Sequence, residues 1–93
     1  MKILAVCGFG VGSSMVLKMT LSKVVQEMGL DADVQNTDIE TAKATKADVY
    51  FTSAELAEDL KNSTSNPVIP IKKYMDKTEV KNALQKYLDS KKA

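Results

Sequence analysis

Apolar positions are contiguous at the start of the chain and become periodic just beyond it. Ile3, Leu4, Ala5 and Val6 form an unbroken run, the pattern of a strand covered on both faces in a parallel sheet. From Ser14 onward, Leu17, Leu21, Val24, Val25 and Met28 recur at helical spacing and Gly29 follows as a stop. A first helix is therefore predicted from about Ser14 to Met28, with Ser13 or Ser14 as its N-cap. A second strand over Ala32 to Asn36 is weakly marked, with Ala32 and Val34 apolar on one face. A short helix is expected to open over Asp38 to Ala42. Asp48 to Thr52 is a strand of β-branched and aromatic residues, and Ser53 caps a helix over Ala54 to Lys61.

The polar run Asn62 to Asn66 reads as a loop, and its sequon Asn62-Ser63-Thr64 as a chance match. Pro67 to Ile71 is apolar and extended, but each proline removes a ladder donor, so this strand belongs at a sheet edge. Asp76 and Glu79 have the spacing of a capping box, and Val80, Ala83, Leu84, Tyr87 and Leu88 mark one face of a last helix. Ser90 to Ala93 should fray. Strand and helix alternate, which implies parallel strands with right-handed crossovers. The predicted fold is α/β, a three-layer αβα arrangement with a four-stranded parallel sheet of order 2-1-3-4. Its ligand site should lie beyond the carboxyl ends of the central strands, where Cys7 falls.

Composition narrows the chemistry. Ninety-three residues are enough for one core, and 1–93 is read as a single domain. Thirteen basic residues against twelve acidic leave no electrostatic footprint for nucleic acid. All thirteen are lysine, so the chain lacks the guanidinium fork that clamps phosphate in hydrolytic enzymes. It also lacks histidine, the commonest general base and metal ligand. A single cysteine, and an apolar start too short for a membrane span or signal-peptide core, point to a cytoplasmic protein without membrane insertion.

That cysteine stands where the first strand ends and Gly8, Gly10 and Gly12 begin. Glycines here permit positive φ and inward-turned N–H groups, and the following helix adds its own donors and the positive end of its dipole. Such a cradle suits a dianionic phosphate and the thiolate of Cys7. The spacing G-x-G-x-G is not the dinucleotide fingerprint, and Gly12 is followed by Ser13-Ser14 instead of the Lys-Ser/Thr of a nucleotide P-loop. The layout fits C-x5-R-S/T, the loop of cysteine-dependent phosphatases of the low-molecular-weight kind, except that Ser13 occupies the arginine position. Hydrolysis would lose much of its transition-state charge stabilisation. A loop that accepts a phosphoryl group without parts to hydrolyse it describes a carrier.

Cys7-Gly8-x-Gly10-x-Gly12-Ser13-Ser14-Met15, followed by Lys18-Met19, resembles the phosphorylation loop of enzyme IIB components of the bacterial phosphoenolpyruvate-dependent sugar phosphotransferase system. The ascorbate-specific type is most similar. Galactitol-type loops differ late in the motif, and lactose or cellobiose types diverge further. The resemblance implies that Cys7 accepts a phosphoryl group from a phosphohistidine of enzyme IIA. It then passes the group to a sugar, L-ascorbate or alternatively galactitol or another pentitol or hexitol, at the membrane permease IIC. It further implies that the backbone from Gly8 through Phe9, Gly10, Val11 and Gly12 to Ser13, with the Ser13 and Ser14 hydroxyls, holds the phosphoryl oxygens. No metal or cofactor is required. A small cysteine phosphatase and a phosphate-sensing regulatory module are the alternatives.

Other residues carry less. Phe9, Val11 and Met15 are open between core packing and partner contact, Met15, Met19 and Met28 fit helix packing, and Lys18 fits a solvated helix face. Lys72 and Lys73 follow the fourth strand on the side of the loop, which permits a docking role. Asp31, Asp33 and Asp38 lack metal spacing and are assigned to turns and caps.

Overall fold

In the computed structural model, the opening apolar run forms β1 (Lys2–Cys7), and the chain continues through α1 (Gly12–Glu27), β2 (Asp33–Asp38), α2 (Ile39–Lys43) and β3 (Val49–Thr52). It ends with α3 (Ala54–Lys61), β4 (Val68–Pro70) and α4 (Lys77–Lys92). The structure describes residues 1–8 and 12–92, with the side chains of 12–14 and 92 excepted. Phe9, Gly10 and Val11, three of the expected phosphate-binding residues, therefore lie outside the described residues, as do the side chains of Ser13 and Ser14.

The sheet is parallel with order β2-β1-β3-β4, as the alternation implied. Its period of two sends Ile3, Ala5, Val49 and Phe51 to one face, where they pack with Leu17, Leu21 and Val24 of α1 and Val80 and Leu84 of α4. Leu4, Val6 and Tyr50 face the other way, onto Ile39 and Ala42 of α2 and Ala57 and Leu60 of α3. Strand β1 is covered on both sides, which is why its apolar run is continuous. The proline-bounded β4 is an edge strand.

Boundaries moved where pairing outweighed local pattern. Strand β2 runs on to Asp38 because its register with β1 continues to the pair Cys7 and Asp38. Helix α1 starts at Gly12, so Ser13 and Ser14 lie inside its first turn instead of capping it. At its other end Gly29 has φ 68°, and the N–H groups of Gly29 and Leu30 donate to Gln26 O and Val25 O at 3.2 and 2.9 Å. This is the left-handed stop that favours glycine. Helix α4 extends to Lys92, past the expected fraying point, and the Ser90 hydroxyl donates to Tyr87 O at 2.7 Å.

Candidate functional site

Parallel strands bring four chain segments to one edge of the sheet. Cys7 is the last residue of β1, a central strand, and is buried, with 2% of its surface exposed. Gly8 follows, and α1 opens four residues later. Gly8 does not adopt the positive φ expected of it, and Gly12 sits in helical backbone. A Cβ built on Gly8 would stand 3.7 Å from both Leu56 methyl carbons, ordinary van der Waals contact, so α3 lies beside the residue after the thiol without itself demanding a glycine there.

The neighbouring strands end in polar groups. Asp38 pairs with Cys7 across β1 and β2 and caps α2, its Oδ1 accepting from Thr41 N at 3.3 Å. Hydrogen bonding to Thr41 holds this carboxyl below the ordinary aspartate range. On the other side, buried Thr52 donates its hydroxyl to Val6 O at 2.9 Å, tying β3 to the residue before the thiol. Ser53 caps α3 as its sequence position indicated, accepting from Leu56 N at 3.3 Å.

The β4–α4 connection completes this edge. Ile71 N donates to Thr52 O at 2.7 Å, which holds the chain beside β3 beyond the end of β4. Asp76 caps α4 through Thr78 N and Glu79 N at 3.0 and 3.2 Å. Glu79 does not close the capping box. It turns back, and its two oxygens accept from Lys72 N at 2.8 Å and Lys73 N at 2.9 Å. Two free backbone donors in the turn attract the carboxylate more usefully than a helix end already served by Asp76.

Tyr74 lies in this braced turn, half-buried against the core. Burial pushes its hydroxyl above the usual tyrosine range; hydrogen bonding from Ser53 opposes that push and the nearby Cys7 adds to it. Cys7 and Ser53, by the alternation of β1 and β3, fall on the same sheet face as Tyr74. Nothing in the hydrophobic pattern singled it out, because a lone tyrosine in a turn has no periodic signal.

Met15 and Met19 do not pack inward as expected; they are 50% and 57% exposed, while Met28 packs against the core. The period places both methionines on the outer side of α1 once Leu17, Leu21 and Val24 take the sheet. Met19, with Val16, Thr20, Lys23, Met75 and Lys77, lines a shallow groove. Lys18 is half-buried, and the side chains of Lys72 and Lys73 are exposed. Among the described residues, no cluster of three or more cysteine and carboxylate side chains is arranged to hold a metal. No helix among them is long and apolar enough to cross a membrane.

A three-layer α/β fold that sets a buried cysteine at the carboxyl edge of its central strand, just ahead of a helix start, is the arrangement of a phosphotransferase-system IIB domain. The chain belongs to that family: the family described as "PTS system, Lactose/Cellobiose specific IIB subunit" matches residues 2–86. Within it, the chain is 31% identical over 88 residues to the "Ascorbate-specific PTS system EIIB component" of Mycoplasma pneumoniae, covering 92% of this chain and 93% of that protein. The protein is an enzyme IIB component of a sugar phosphotransferase system, as the resemblance of its loop implied.

Proposed function

We propose that Cys7 carries the phosphoryl group, receiving it from a phosphohistidine of an enzyme IIA and delivering it to a sugar bound by a membrane permease IIC at the cytoplasmic face. The observation that supports this most directly is the placement of the thiol. Cys7 ends a central strand flanked by β2 and β3, at the edge where parallel sheets bind ligands, and the N-terminus of α1 follows at once. In the first transfer the sulfur attacks phosphorus, the S–P bond forms as the P–N bond breaks, and the thiol proton passes to the departing imidazole. The second transfer reverses the sense: a sugar hydroxyl oxygen attacks, the S–P bond breaks, and the hydroxyl proton returns to sulfur.

Backbone N–H groups from Gly8 to Ser13, with the hydroxyls of Ser13 and Ser14, hold the phosphoryl oxygens in this reading. Met15, exposed on the first turn of α1, is a contact for the partner that brings the phosphohistidine. Lack of arginine and histidine favours a phosphocysteine that survives until it meets its acceptor. Residues 1–93 act as one phosphocarrier domain.

The name of the 31% identical relative supports L-ascorbate as the sugar, and the family description makes lactose and cellobiose the competing substrates. Incubation with phosphoenolpyruvate, the general transfer proteins and enzyme IIA should add one phosphoryl group, mapped to Cys7 by peptide mass spectrometry. Label on any other residue would overturn the assignment. Uptake of L-ascorbate, galactitol and the disaccharides by cells lacking the protein then identifies the sugar.

A further inference from the structure

We propose that Tyr74 is a phosphoryl-binding residue, its hydroxyl donating a hydrogen bond to the group carried on Cys7, and that Glu79 is the positioning residue that presents it. This rests on the reading of Cys7 as the phosphoryl carrier. Three anchors fix the tyrosine. Ile71 N bonds to Thr52 O at 2.7 Å on its N-terminal side, and Asp76 N closes on Lys73 O at 3.0 Å around it. The Glu79 carboxylate grips the two preceding amides, those of Lys72 and Lys73, at 2.8 and 2.9 Å. The aromatic ring packs on the core, so its hydroxyl is held at the strand ends with little freedom left.

Alternation along β1 and β3 carries Cys7 and Ser53 to the sheet face of Ile3, Ala5, Val49 and Phe51, which is the face on which Tyr74 packs. Ser53 accepts from Leu56 N in its capping role, which fixes its hydroxyl at this same edge. From there the phenolic hydroxyl can donate to an oxygen of the group attached to the sulfur. Partial burial keeps the phenol protonated as a donor. The bond contributes most when the phosphoryl group is present, because a hydrogen bond to an ionised acceptor is stronger than one between neutral partners.

The test compares the parent protein with Tyr74→Phe and Glu79→Gln, using phosphorylated enzyme IIA as donor. Rate of label transfer, the phosphorus-31 resonance of the phosphocysteine and the thermal midpoint are read together. Tyr74→Phe should slow transfer by roughly ten-fold and displace the resonance, with the midpoint within a few degrees of the parent. Glu79→Gln should shift the resonance in the same direction by less, since the amide retains one acceptor for two donors. Parent-like rate and resonance in Tyr74→Phe overturn the proposal, whatever happens to the midpoint. If the parent itself takes no label on Cys7, the carrier reading fails first, and this proposal with it.

Discussion

The two ends of the sheet spend their polar groups differently. At the amino end every described contact closes the structure on itself. The Tyr50 hydroxyl donates to Thr45 O and accepts from Ala47 N at 3.1 Å, Asn66 Nδ2 donates to Ala47 O at 2.6 Å, and the Tyr87 hydroxyl donates to Asp48 O at 3.3 Å. Asp48 Oδ2 in turn takes the Lys2 amide at 2.6 Å. At the carboxyl end the same kinds of group are arranged around a thiol: Asp38 across from it, Thr52 and Ser53 on one side, Tyr74 presented by Glu79. Exposed Met15, Val16, Met19 and Met75 are apolar surface that folding leaves in water. Both ends fasten the structure, but only the carboxyl end does so around a cysteine.

Substitutions at the two ends should therefore separate activity from stability. Cys7→Ser should abolish phosphoryl label from enzyme IIA while the circular dichroism spectrum stays that of the folded α/β domain; label retained at the parent level would remove the distinction. Tyr50→Phe strips the amino end of a hydroxyl that serves two backbone groups. It should cost about 1–3 kcal/mol in urea unfolding and leave the transfer rate unchanged. A slowed transfer would show that the ends are coupled.

Gly29→Ala places a side chain at φ 68°, also toward the amino end, and should cost about 1–2 kcal/mol, again with parent-like transfer. The smallest effect is expected from acid. The Lys2 amide bonded to Asp48 lowers that carboxyl below the ordinary value of 3.8, so its contribution is present above that pH and is lost as pH falls through the lowered value. Asp48→Asn should flatten the fall in thermal midpoint over this acid range. An unchanged slope would mean that other carboxylates set the acid limit.

Much of this was legible because local pattern and tertiary packing agree. Ser53 capping Ala54–Lys61, Gly29 closing α1 and the order of the strands all follow from spacing and residue type. Cys7 was legible for a different reason: a thiol between an apolar strand and a glycine loop is rare chemistry at a readable place. Glu79 was misread because the local capping-box geometry and two amides six and seven residues upstream compete for the same carboxylate, and only the path of the β4–α4 turn decides between them. Met15 and Met19 were misassigned because several apolar faces of α1 were available, and the sheet can cover one.

By itself, then, the sequence determined the order and type of the elements and the parallel sheet, and it pointed to Cys7 as the proposed nucleophile. Each of those depends on near neighbours in the chain, through hydrogen-bonding period, capping and backbone freedom. The tertiary structure alone decided which residues are gathered at the same edge as Cys7. Asp38, Ser53 and Tyr74 are 31, 46 and 67 residues from Cys7 in sequence, and the common carboxyl edge of parallel strands brings them together.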